Sequence, residues 1–218
     1  NSFWWVKMRE NICYIVGAGS FDNQPFDVKK NDLIIAADGG YKYLKQLNID
    51  CDILLGDFDS IDEIPNHSNI IQHPEQKDDT DMVLAVQTGL KKGYKCFVIY
   101  GGLGGRLDHT IANIQTIAYL SKQGAQGFLI GEGMVITAIT NSDFNFDGTK
   151  RGVISIFANG DKASGVYLNG LKYKLENATI TSDYPIGVSN EFVGEESQVI
   201  VNNGTLIIVW NDKNFNID

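Results

Sequence analysis

Six short, almost wholly apolar runs, residues 12–16, 33–37, 53–55, 69–72, 96–100 and 128–130, alternate with helix-like stretches through the first half of the chain. A strand with no alternating polar position is buried on both faces, and such strands belong to parallel sheets covered by helices. The stretches between them carry apolar residues at helical spacing. Tyr41, Leu44 and Leu47 share one face, as do Val83, Val86 and Leu90, and Ile111, Ile114, Ile117 and Ala118 form a third stripe. The pattern predicts a doubly wound, mostly parallel α/β sheet.

After Met134 the period shortens to alternating segments such as 153–157, 166–168, 199–201 and 206–210, separated by Asn159-Gly160, Asn169-Gly170 and Asn203-Gly204. Asn-Gly between apolar runs is a hairpin signal, and Asn203-Gly204 is the best placed of the three. This half reads as an all-β antiparallel sandwich or roll. The expected division is an α/β domain at 8–132 and a β domain at 133–218, with the polar stretch 141–150 a linker or a loop. Residues 1–7 precede Met8, the expected native start, and read as an added segment.

The bulk properties exclude several classes. No apolar run approaches the roughly 18 residues that cross a bilayer, and nothing near Met8 has a signal-peptide layout, so the expectation is a soluble, cytoplasmic protein with no membrane partner. Three scattered cysteines, Cys13, Cys51 and Cys96, make neither a disulfide framework nor a zinc site, and Cys13 and Cys96 read as buried hydrophobes. A net charge of −9 argues against nucleic acid and favours cationic ligands and metals.

In an open parallel sheet, ligands bind beyond the carboxyl ends of the strands. Asp38-Gly39-Gly40, Gly56-Asp57-Phe58-Asp59 and Gly101-Gly102-Leu103-Gly104-Gly105-Arg106 each follow an apolar run, which delivers carboxylates, glycines and an arginine to one edge. Asp57 and Asp59 project the same way in extended backbone. At about 4 Å their charges repel by about 4 kcal/mol at an effective dielectric of about 20, and a divalent cation turns that repulsion into ligation. Carboxylates without thiolate or histidine partners favour Mg2+, which completes its shell with water and phosphate oxygens. The acidic run Asp78, Asp79 and Asp81 joins this set; its competing reading is a helix first turn, with Thr80 or Asp79 as N-cap, just as Asp57 and Asp59 could form a polar turn and Asp108 a helix cap.

The run 101–106 is neither a P-loop nor a dinucleotide fingerprint, and Gly17-Ala18-Gly19 lacks the third glycine of the latter. Glycines at 102, 104 and 105 nonetheless let backbone N–H groups approach an anion while Arg106 closes over it. His67, His73 and His109 have no metal-ligand spacing.

Taken together, Asp38-Gly39-Gly40, Gly56-Asp57-Phe58-Asp59-Ser60-Ile61, Asp78-Asp79-Thr80-Asp81 and Gly101 through Arg106-Leu107-Asp108-His109 resemble the thiamine pyrophosphokinase family in type, order and spacing. The resemblance implies transfer of the terminal diphosphate of ATP to the thiamine hydroxyl, giving thiamine diphosphate and AMP. It implies a homodimer in which an α/β domain holds magnesium and ATP and a β domain holds thiamine at the subunit interface. Asp57, Asp59 and Asp81 would then hold magnesium; Asp38, Asp78, Arg106 and Asp108 would line the nucleotide and phosphate path. Either Asp81 or Asp108 would accept the hydroxyl proton. Gly187-Val188-Ser189-Asn190 is similar to the family's thiamine-contacting segment, with Ser189 and Asn190 as candidate ligands, and Trp210 is a candidate stacking or packing residue. A nucleotide or thiamine sensor without turnover, and a pyrophosphokinase for another hydroxyalkyl heterocycle, are the competing readings.

Overall fold

The computed structural model describes residues 11–21, 27–56, 79–215 and 217, and the backbone of 70–72. The chain divides into two compact units. The first comprises Asn1–Thr116, Gly127–Glu132 and Asn214–Asp218; the second comprises Ile117–Gln126 and Gly133–Lys213.

In the first unit the elements run β1 (Ile12–Val16), β2 (Leu33–Ala37), α1 (Gly40–Gln46), β3 (Ile53–Gly56), β4 (Ile70–Gln72), α2 (Asp81–Lys91), β5 (Cys96–Tyr100), α3 (Leu107–Lys122) and β6 (Gln126–Gly131). The strand order is β6-β5-β1-β2-β3-β4. β1 pairs in parallel with both β2 and β5, and β2-β3 and β3-β4 are parallel too. Every residue of β1, β2, β3 and β5 is buried, the outcome that uninterrupted apolar runs predict. Ile15, Ile35 and Ile99 are wholly excluded from solvent, and each such side chain contributes about 1.5–3 kcal/mol by leaving water.

Two helix faces differ from the expected stripes. α2 buries Met82, Ala85, Val86 and Gly89, leaving Val83 and Leu90 only half-covered. Gly89 is admitted because a Cβ there would lie 2.5 Å from Phe97 Cε1 and 2.8 Å from Cys13 Sγ, so the helix approaches the sheet where it has no side chain. On α3 the buried positions are Asn113, Thr116, Ile117, Ala118 and Leu120, whereas Ile111 is half-exposed at 49%. A search for apolar residues alone passes over the polar members of that face.

The second unit carries the later part of α3 and the strands β7 (Met134–Thr140), β8 (Asp143–Phe146), β9 (Arg151–Ala158), β10 (Lys162–Asn169), β11 (Leu175–Thr181), β12 (Asn190–Val193), β13 (Ser197–Asn203) and β14 (Thr205–Asn211). They fall in the orders β12-β9-β14-β7 and β11-β10-β13-β8. All the pairings within these two sets are antiparallel. The fold thus mixes parallel pairing among β1 to β5 of the first unit with antiparallel pairing in the second, with few helices.

Asn203-Gly204 does not close a hairpin. β13 pairs with β10 and β8, β14 pairs with β7 and β9, and the turn carries the chain from one sheet to the other. Asn141 explains the crossing: its Oδ1 accepts the Gly204 N–H at 2.8 Å, and its own N–H donates to the Gly204 carbonyl at 3.1 Å. Gly204 is thus tied to Asn141, and Thr205 pairs with Thr140 at the end of β7. Asn159-Gly160 likewise links strands of different sheets, and only Asn169-Gly170 joins paired neighbours, β10 and β11. The polar stretch 141–150 is no linker, because β8 lies within it and turns Phe144 and Phe146 inward on alternate positions.

Candidate functional site

Because β1, β2, β3 and β5 are parallel, their carboxyl ends open on the same edge. There a cavity of about 400 Å³ lies within the first unit, lined by Gly17 and Gly19 after β1, Asp38 after β2, Asp81 of α2, and Gly102 and Arg106 after β5. Gly104, Gly105, Thr80, His109 and Asn113 also line it. A volume of this size suits a small-molecule ligand, for which clefts of roughly 300–1,000 Å³ are usual.

Asp38 has φ +50, a left-handed backbone uncommon for a residue with a side chain. Its N–H donates to the Leu55 carbonyl at 2.7 Å, which fixes the turn against the end of β3. Gly40 follows because a Cβ there would fall 1.9 Å from the Val16 carbonyl oxygen. The second glycine of Asp38-Gly39-Gly40 thus serves the packing of α1 on β1.

Thr80 is the N-cap of α2, its hydroxyl accepting the Val83 N–H at 3.3 Å. That places Asp81 in the first turn, where the helix dipole favours a carboxylate or any anion brought near it.

The loops after β1 and β5 extend the strand pairing past the strand ends. Gly17 N–H donates to Tyr100 O at 2.8 Å, Gly19 to Gly101 O at 2.7 Å and Ser20 to Leu103 O at 2.8 Å. Most of the glycines are demanded by this close approach. A Cβ on Gly17 would sit 2.7 Å from the Gly101 oxygen, one on Gly101 2.2 Å from the Gly17 oxygen, and one on Gly104 2.1 Å from Ser20 Oγ. Gly105 differs: at φ +66 a Cβ there would meet nothing within 4 Å, so its backbone faces open space.

Arg106 and Asp108 form a two-pronged ion pair, Nη2 to Oδ2 at 2.6 Å and Nε to Oδ1 at 3.2 Å. The bond to Arg106 holds the Asp108 carboxyl below its ordinary range, with the His109 N–H adding a further hydrogen bond at 3.0 Å. Both side chains are largely exposed, so the pair fixes geometry rather than stability.

Of the acidic residues singled out by sequence, Asp38 and Asp81 reach the cavity, with Arg106, Gly102, Gly104 and Gly105 beside them. Asp57, Asp59 and Asp78 lie outside the described residues, as do His67 and His73. Among the described residues no three of His, Cys, Asp and Glu cluster as a metal site. Gly17, Gly19, Thr80 and Asn113 were not expected there. Asn113 lies off the apolar stripe that the sequence predicts for α3, so no sequence signal marks it, and it is buried there as a hydrogen-bonded amide.

In the second unit, Ser189 is exposed with φ +58, and its N–H donates to Ser155 Oγ at 3.1 Å. Asn190 is buried, and its amide holds the backbone of Tyr173 from both sides. Trp210 is 1% exposed and packs edge-on against Phe146 at 5.2 Å and tilted against Phe144 at 5.9 Å.

Two family models match the chain. Residues 27–129 match the thiamin pyrophosphokinase catalytic domain, and residues 141–208 match the thiamin pyrophosphokinase vitamin B1 binding domain. A thiamin pyrophosphokinase 1 from Caenorhabditis elegans is 30% identical over 169 residues, covering 72% of this chain and 68% of that protein. A thiamine pyrophosphokinase from Bacillus subtilis is 30% identical over 162 residues, covering 71% of this chain and 75% of that protein. A crystal structure of thiamine pyrophosphokinase from Bacillus subtilis superposes with a TM-score of 0.81 at 26% identity, over 93% of this chain and 99% of that one.

Proposed function

The chain belongs to the thiamine pyrophosphokinase family, a transferase family that makes thiamine diphosphate from thiamine and ATP, and on that premise we propose how its own residues divide the work. The observation that carries the reading is the single cavity edge shared by Asp38, Asp81, Arg106 and the glycines at 102, 104 and 105. It takes the polyphosphate of ATP.

The α/β domain, 8–132, binds the nucleotide, and the β domain, 133–218, presents thiamine in a homodimer with the thiamine site at the subunit interface. A doubly wound first domain and a sandwich or roll in the second belong to the same reading, as does a cytoplasmic location. The donor chemistry fits Mg2+: Asp38 and Asp81 bring carboxylate oxygens to the cavity, and among the described residues no thiolate lines it. Asp57, Asp59 and Asp81 would hold the metal, with Asp78 on the phosphate path. Bound there, the ion would neutralise polyphosphate charge and polarise the phosphorus under attack.

Arg106 holds the oxygens of the transferred group, and the Asp108 carboxylate keeps the guanidinium fork in place. The same pairing depresses the proton affinity of Asp108, which makes it a weak acceptor for the thiamine hydroxyl proton. Alignment and charge neutralisation carry most of the rate in phosphoryl-type transfer. On the thiamine side, exposed Ser189 makes the direct contact, while buried Asn190 and Trp210 support it from within.

Incubation with ATP, Mg2+ and thiamine should release AMP and thiamine diphosphate in equal amounts. Release of ADP with thiamine monophosphate would overturn the reading.

A further inference from the structure

Four consecutive carbonyl oxygens, those of residues 100–103, are each engaged by a protein donor, and Gly101 and Gly102 among them line the cavity. Tyr100 O, Gly101 O and Leu103 O accept from the backbone N–H groups of Gly17, Gly19 and Ser20. The fourth, Gly102 O, accepts from the Nδ2 of Asn113 at 2.7 Å. Asn113 is the one side chain in the set, it is 8% exposed, and it lines the cavity itself.

The arrangement has an electrostatic consequence. A carbonyl oxygen carries partial negative charge and repels a phosphate, whereas an N–H attracts it. In a trans peptide the N–H points opposite to the C=O of the same unit, and all peptide bonds described here are trans. Fixing the Gly101, Gly102 and Leu103 carbonyls on protein donors therefore directs the N–H groups of Gly102, Leu103 and Gly104 each away from the donor that holds its own peptide unit. Among the described residues, none of the N–H groups of Gly102, Leu103, Gly104 or Gly105 donates a hydrogen bond within the chain.

We propose that Asn113 is a positioning residue for diphosphate transfer: its amide holds the Gly102 carbonyl so that this acceptor is not presented to the polyphosphate. The role rests on the reading that this cavity holds the phosphates of ATP. Packing alone does not explain an asparagine here, since an aliphatic residue would fill the buried stripe beside Ile117 and Leu120 without the burden of a buried amide. It would leave the Gly102 carbonyl without its donor.

The test compares Asn113→Asp, nearly isosteric but unable to donate when ionised, with Asn113→Ala, which removes the donor and adds no charge. Steady-state kinetics on the full chain should show the KM for ATP raised about tenfold or more in both variants, most in Asn113→Asp, with the KM for thiamine within twofold of wild type. Inorganic triphosphate, as a competitive inhibitor against ATP, should lose affinity by a similar factor. Either folded variant with unchanged ATP KM and triphosphate inhibition overturns the proposal, and so does a rise in thiamine KM that keeps step with that for ATP. Arg106→Ala serves as the reference. If it weakens triphosphate and Asn113→Ala does not, this inference alone fails; if neither weakens it, the phosphate-site reading fails with it.

Discussion

Asn190 clasps the backbone of Tyr173: its Oδ1 accepts the Tyr173 N–H at 2.9 Å, and its Nδ2 donates to the Tyr173 carbonyl at 2.6 Å. One side-chain amide thus does what a neighbouring strand would do, at the first residue of β12, which itself pairs with Ile154 of β9. Asn190→Ala should cost about 2 kcal/mol of stability by stranding both groups, read as a lower midpoint in urea. Ser189→Ala, at an exposed neighbour, should leave that midpoint unchanged and raise the KM for thiamine. Equal stability loss in both would remove the distinction between support and contact.

The Arg106–Asp108 pair makes a contrasting prediction. Since both side chains are mostly exposed, Arg106→Ala should shift the thermal midpoint little while cutting kcat/KM by on the order of a hundredfold, the scale of losing one charge-stabilising group at a transition state. It should also release the Asp108 carboxyl upward toward its ordinary value near 3.8, visible as an NMR titration shift. An unmoved Asp108 titration would mean that the pair does not persist in solution.

How much of this was legible beforehand depended on which signal each residue carried. The parallel strands were readable because full burial leaves an uninterrupted apolar run, as in Ile12–Val16 and Cys96–Tyr100. Their polarity then placed Asp38 and the 101–106 loop on one edge without any contact information. Asn113 was not readable as a site residue, because its function depends on a carbonyl eleven positions away in sequence. Asn203-Gly204 misled for a similar reason: local turn chemistry was right, but the partner that takes the Gly204 backbone is Asn141. Phe144 and Phe146 were hidden in a polar stretch, where two inward aromatics suffice to make a strand once Trp210 and Phe192 cover them.

The cysteines give a pH-dependent prediction. Burial pushes Cys96 up to about 12 and Cys51 up to about 11, and raises Cys13 further still, from an ordinary value of 9.0. A raised folded-state value means stability that is complete below pH 9 and is lost as pH rises toward 11 and beyond, because only the unfolded chain ionises its thiols there. Urea midpoints should fall across that window, and iodoacetamide at pH 8 should label none of the three until the chain is unfolded. Rapid labelling of the native protein would show that the thiols are not buried as described.

The acidic run at Asp57 and Asp59 carries the last prediction. On the reading that Asp57 and Asp59 project the same way, their carboxylates repel when no cation is present, so their neutralisation should help folding while their loss harms catalysis. Asp57→Asn and Asp59→Asn should each keep the thermal midpoint of the metal-free protein or raise it slightly. Each should lower turnover by on the order of a hundredfold at saturating Mg2+, and should flatten the rise in thermal midpoint that wild type shows when Mg2+ and ATP are added together. Chelation with EDTA should abolish wild-type activity, with recovery on adding Mg2+. Variants that retain full activity and the full ligand-induced shift would show that the magnesium is held elsewhere, and Asp38 and Asp81, which line the cavity, would be the carboxylates to test next.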